Sequence, residues 1–151
     1  MPPNPDCIFC KIIAGRAEAS FLFRGTKVAA FLDVFPWMPG HTLVVPRRHV
    51  SGLAELTPDL GGHMMAAGRR VAAALRRGIP GCEGVNYFLA DGAVAGQTVF
   101  HCHLHVLPRA AADGFGLRRP AVRPPSREEL EAQAAGIRTA LQAPRRVADR
   151  R

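Results

Sequence analysis

Histidine recurs at every second position of His101-Cys102-His103-Leu104-His105-Val106-Leu107, in a chain that has only six histidines. An extended strand points residues i, i+2 and i+4 to one side, roughly 6.6 Å apart. The spacing therefore predicts three imidazoles on one face, with Cys102, Leu104 and Val106 on the other. Such a face suits either a tri-histidine metal site or imidazoles that act on a phosphoryl group as nucleophile and donor. Just upstream, Ala95-Gly96-Gln97-Thr98 offers backbone, amide and hydroxyl donors of the kind that hold phosphate oxygens. That context favours phosphate. A second reactive pair, Cys7-x-x-Cys10, has the spacing of metal ligands or a redox couple. A thioredoxin-like pair would follow a strand, whereas Cys7 follows a Pro-rich stub.

The elements that must position these groups follow from periodicity and breakers. Asp6 is placed to N-cap a short helix whose apolar face is Ile8, Phe9, Ile12 and Ile13, stopped at Gly15. Residues 20–24 and 27–33 read as strands joined by a tight turn at Gly25-Thr26, and residues 41–45 as a third strand after Pro36 and Pro39-Gly40. Thr57-Pro58-Asp59 opens the main helix, with Leu60, Met64, Val71 and Leu75 at helical spacing and Gly78 at its end. Residues 84–90 and 99–107 supply two more strands around a Gly-rich loop. The order β-β-β-α-β-β predicts an α+β fold, an antiparallel sheet of about five strands with helices packed on it. Residues 1–110 form the predicted domain. Residues 111–151 are a Pro- and Arg-rich segment ending in a helix, opened by the capping box Ser126-Arg127-Glu128-Glu129 and striped by Leu130, Ala134, Ile137 and Leu141.

The run from Gly96 through Arg109 resembles the signature of the histidine-triad (HIT) family. Residues 39–49, Phe31-Leu32-Asp33 and residues 7–13 extend the likeness over about residues 6–110, nearest to the members that cleave phosphoramidates or dinucleoside polyphosphates. The resemblance implies a HIT-like fold and a nucleotide hydrolase or nucleotidyl transferase acting at the α-phosphate of a purine nucleotide. His103 would be the nucleophile that forms a nucleotidyl-histidine intermediate. His105 would bind phosphate oxygens and assist the leaving group, with His41 in support. Gln97 and Thr98 would hold the phosphate, Asp33 the ribose hydroxyls, and Ile8, Phe9, Ile12, Phe31, Leu32 and Val34 the base. Cys7, Cys10, His49 and His101 match a structural zinc site, a closed tetrahedral set. The family also implies a homodimer. Asp91 departs from the usual Asn, and a carboxylate among the nucleotide-binding residues would repel phosphate unless protonated or paired. Trp37, in the loop after Asp33, is placed either to cover the nucleotide or to contact a second chain. A regulatory nucleotide-binding module with little turnover is the alternative function.

Composition narrows the remaining classes. The net charge of +8 invites a nucleic-acid reading. However, the chain has only two lysines, Lys11 and Lys27, and its arginines crowd the segment beyond residue 117 without interleaved aromatics. No nucleic-acid partner is expected. The apolar runs are too short to cross a bilayer and the start has no secretory pattern, so no membrane association and a cytoplasmic location are expected. Four cysteines in such a chain argue against a disulfide framework.

Overall fold

The computed structural model describes residues 4–116 and 121–143 of the chain; the remainder of the C-terminal segment lies outside the described residues. Two compact units divide it between Asp113 and Gly114.

In the first unit a five-stranded sheet runs β1 (Phe21–Arg24), β2 (Val28–Leu32), β3 (Thr42–Pro46), β5 (Leu104–Arg109) and β4 (Gly84–Phe88) in spatial order. Every neighbouring pair is antiparallel. The helices α1 (Ile8–Ile13) and α2 (Pro58–Gly78) complete the unit. Alternation along the strands sorts the core into two clusters. Val28, Ala30, Val44, Leu104 and Val106 pack with Leu60, Met64, Val71 and Leu75 of α2. Ala29, Phe31, Leu43 and Val45 pack with Phe9, Cys10 and Ile12 of α1. Because β2 and β3 are covered on both faces over residues 28–31 and 43–46, those residues are apolar without interruption rather than alternating. His103 and His105 have the odd numbers of the α1 side, opposite Leu104 and Val106.

α2 begins as its sequence dictates, with the Thr57 hydroxyl accepting the Leu60 N–H at 3.3 Å and Pro58 at the first position. α1 differs from expectation at its start. The N-cap is Cys7 rather than Asp6, and no side chain caps the helix. Residues 84–90 and 99–107 also shorten, the latter to Leu104–Arg109. The pairing Val44 with Leu104, continued by two residues, would set Cys102 opposite Pro46. Proline has no N–H to give a ladder. The Cys102 N–H turns instead to the Val50 carbonyl, 2.6 Å away, and the chain leaves the sheet at His101 to His103.

The second unit contains α3 (Arg127–Gln142), closed by the capping box between Ser126 and Glu129 and by an Arg123–Glu129 ion pair. Leu130, Ile137 and Leu141 on this helix are exposed.

Gly40 sets the entry to β3 with φ +86°, and a Cβ there would lie 2.9 Å from Ile79 atoms. Gly40→Ala is expected to lose about 1–3 kcal/mol of stability, from left-handed strain together with that contact. A urea melt showing less than a few tenths of that loss would contradict this account of the β3 entry.

Candidate active site and metal centre

A cavity of about 460 Å³ opens on the α1 side of the sheet, within the range of small-molecule sites. Helix α1 contributes Ile8, Phe9 and Ile12, β2 and its following loop contribute Phe31 to Phe35, and the loop after β4 contributes Leu89 and Ala90. His103 and His105 face into it beside Gly96, Thr98 and Trp37.

Hydrogen bonds assign the imidazole tautomers. The Nδ1 of His103 lies 2.8 Å from the His101 carbonyl, which can only accept, so Nδ1 carries the proton and Nε2 presents a lone pair. The Trp37 N–H donates to His41 Nδ1 at 3.2 Å, so the proton of neutral His41 sits on Nε2. That Nε2–H donates to His105 Nδ1 at 2.8 Å, leaving the His105 Nε2–H as a donor. The His103 lone pair and the His105 donor thus stand side by side, with ring centroids 4.7 Å apart. Asp33 Oδ2 is 3.6 Å from His41 Nδ1, where it acts on the ring through its charge.

Burial governs the protonation of this group. It lowers the pKa of His103, against upward pulls from the hydrogen bond to His101 and from Asp33. His105 is pushed down to about 4 by burial, then by His103 and His41, with Asp33 opposing. His41 is also lowered, again chiefly by burial. Burial therefore favours neutral imidazole, the nucleophilic form, to lower pH than in an ordinary histidine.

Behind the cavity, Cys7, Cys10, His49 and His101 are all buried, with donor atoms within 4.8 Å of one another. Cys7 Sγ is 3.5 Å and Cys10 Sγ 3.6 Å from His101 Nδ1, and Cys10 Sγ is 3.3 Å from His49 Nδ1. A tetrahedral zinc with ordinary Zn–S and Zn–N bonds requires S···N edges of about 3.5 Å. The donor set therefore fits zinc in spacing as well as in chemistry. His101 gives its Nε2–H to the Pro46 carbonyl at 2.8 Å, which leaves Nδ1 as a lone pair aimed at the thiols. His101 is fully buried. The predicted histidine face is thereby split: His101 belongs to the thiol cluster and its two neighbours to the cavity. Among the described residues no donor cluster unites His101, His103 and His105.

Ten of the expected nucleotide-binding residues line the cavity: Ile8, Phe9, Ile12, Phe31, Leu32, Asp33, Val34, Thr98, His103 and His105. Gln97 and Asp91 do not. Gln97 is buried as a bracket, its Oε1 accepting the Gly92 N–H and its Nε2 donating to the Ser51 and Val99 carbonyls. Asp91 Oδ1 accepts the Leu53 N–H at 3.0 Å, so its carboxylate ties down the turn Leu53–Glu55. Phe35, Phe88, Leu89 and Ala90 line the cavity without having been singled out. Their only signal in sequence was apolar character at the edges of turns.

Sheet, cavity and imidazole pair define a protein that holds an unprotonated histidine against an apolar pocket. The family model for the HIT domain matches residues 14–112. A HIT-like protein of Borreliella burgdorferi is 41% identical over 117 residues, 76% of this chain and 83% of that protein. Adenylylsulfatase HINT3 of Arabidopsis thaliana is 33% identical over 108 residues, 72% of this chain but 54% of its own length. A Zn-bound histidine triad family protein from Mycobacterium smegmatis, 38% identical, matches with a TM-score of 0.71 over 89% of this chain and 97% of that one. The chain belongs to the HIT family, which includes nucleotide hydrolases. Among the described residues no helix is long and apolar enough to cross a membrane.

Two outcomes are expected. Elemental analysis should find about one zinc per chain, lost from Cys10→Ser with a lower Tm but retained in His103→Ala. Retention in the cysteine variant would refute this ligand set. In zinc-saturated protein, stability should be at its plateau above pH 6.5, the ordinary value for His105, and decline as pH falls toward about 4. The unfolded chain takes up that proton first, so acid favours unfolding. His105→Gln should flatten this part of the urea-stability profile, and an unchanged slope would refute the attribution.

Proposed function

We propose that the protein is a nucleotide hydrolase or nucleotidyl transferase that cleaves at the α-phosphate of a purine nucleotide through a covalent intermediate on His103. The observation that carries this reading is the His103 Nδ1–His101 carbonyl bond of 2.8 Å, which leaves Nε2 unprotonated at the cavity wall. For a phosphoramidate protonated on its leaving nitrogen, Nε2 forms the new P–N bond while the old one breaks and a neutral amine departs. The positive charge passes to His103, whose Nδ1–H then makes a charge-assisted bond to the same carbonyl. Water next attacks phosphorus, the P–Nε2 bond breaks, and the water's second proton goes to solvent. His105 Nε2–H donates to a phosphate oxygen throughout. For leaving groups that depart as anions, the His105 Nε2–H, fixed by the His41 bond to Nδ1, stabilises the departing oxygen by a hydrogen bond.

Thr98 and the turn at Gly96 line the phosphate end of the cavity, and Asp33 is placed for the ribose. Phe9 and Phe31, stacked edge to face at 5.6 Å, are placed against the base. Zinc held by Cys7, Cys10, His49 and His101 would be structural. The four residues would fill every position of a tetrahedral ion. When bound, the ion cross-links the N-terminal segment, the chain after β3 and the approach to β5. The Zn-bound relative supports this assignment, and the adenylylsulfatase relative supports nucleotide chemistry. The family suggests a homodimer, and the reading places the protein in the cytoplasm.

In a turnover screen of adenosine phosphoramidate, dinucleoside polyphosphates and guanosine analogues, His103→Ala should lose at least about 10³-fold in rate. Acid quenching of the wild type with α-labelled substrate should trap label on His103. Full activity in His103→Ala would sink the mechanism.

A further inference from the structure

Aromatic rings flank the nucleophile on two sides. On one side Phe9 meets His103 at 5.2 Å between centroids and continues to Phe31, both rings buried. On the other, His105 lies 4.7 Å from His103 and is stacked on Trp37 at 5.3 Å with only 9° between the planes. Trp37 in turn meets Phe88 edge to face at 5.8 Å. The two ends differ in access. Phe9 and Phe31 are enclosed, whereas Trp37 is 53% exposed and still lines the cavity. A phosphorus atom within reach of His103 Nε2 therefore has one enclosed apolar wall and one open aromatic wall, with the donor His105 on the open side.

Resting on the proposed function, we infer that Trp37, backed by Phe88, is a specificity-determining platform for the leaving group, and that the leaving groups it selects are amines bearing a planar aromatic ring. A nucleoside seated at the Phe9–Phe31 end leaves the Trp37 end for the departing group. A π-face there rewards a planar ring beyond the apolar area buried, because offset or edge contacts match ring quadrupoles. Leaving groups of equal size but saturated gain the area alone.

The test uses two adenosine 5′-phosphoramidates, one of benzylamine and one of cyclohexylmethylamine, which share nucleoside, linkage and carbon count. Binding is measured calorimetrically to His103→Ala, so that turnover does not intervene. The benzyl compound should bind about three- to tenfold more tightly. Adding Trp37→Leu should erase the ratio, and Trp37→Phe should keep most of it. Equal affinities with Trp37 intact, or a ratio that survives Trp37→Leu, would overturn the platform. Trp37 is the sole tryptophan, so its emission gives a second reading that needs no variant at this position. The benzyl compound should change that emission more than the cyclohexylmethyl compound, and identical responses count against the platform. Wild-type turnover separates the two ideas. A preserved binding ratio without turnover supports the platform and sinks the hydrolase, whereas turnover with equal affinities sinks the platform alone. Failure of both compounds to bind overturns both.

Discussion

His101 is the constraint on which the site depends, because none of its polar groups is left uncommitted. Its Nε2–H goes to the Pro46 carbonyl, its Nδ1 faces the two thiols, and its backbone carbonyl receives the Nδ1–H of His103. Rotating the ring would break the first two contacts, and shifting the backbone would release the proton that fixes the tautomer of His103. The same residue therefore ends one structural cluster and begins the reactive one. Its backbone N–H goes to the Val99 carbonyl, and burying four polar functions at zero exposure is tolerable only because each has a partner.

The sheet supports this arrangement through its parity. Even-numbered positions of β5 anchor into α2 and odd-numbered ones face α1, so Leu104 and Val106 hold the strand while His105 is left for the cavity. Because β3 is covered on both sides, a slip of one residue would be penalised on both faces. Burial of this kind disfavours charged imidazole, so the environment that stabilises the fold also favours a lone pair on His103.

Much of this was legible in the sequence for definite reasons. The tight turn at Gly25, the Thr57 cap and the capping box at Ser126 are local devices, and they form where the residues place them. The alternation around His103 and His105 correctly assigned sides. The predicted strand nevertheless began too early, because its limit is imposed by a proline on a different strand, a partner that no local window contains. Gln97 and Asp91 illustrate the same blindness. Amide and carboxylate chemistry suits a ligand as well as it suits a neighbouring loop, and only the tertiary structure shows that both brace residues 51–53. The open aromatic wall was hidden for a related reason, since Trp37 and Phe88 come from segments about fifty residues apart and meet only after β4 pairs with β5.

Gly52 and Asp91 carry a further consequence, for the paths by which this sequence can change. A Cβ at position 52 would sit 2.4 Å from Asp91 Oδ1, although the backbone there is extended and open to any residue. The two positions are thus coupled by space alone. A side chain can enter at 52 only after the carboxylate at 91 has shortened or turned away, which first surrenders its hold on the Leu53 N–H. The order of substitutions matters: the same pair of changes passes through a crowded intermediate in one direction and a merely loosened one in the other. Drift at this corner should run through position 91 first, and homologues that have gained a side chain at 52 should carry at 91 a side chain that is shorter or turned away.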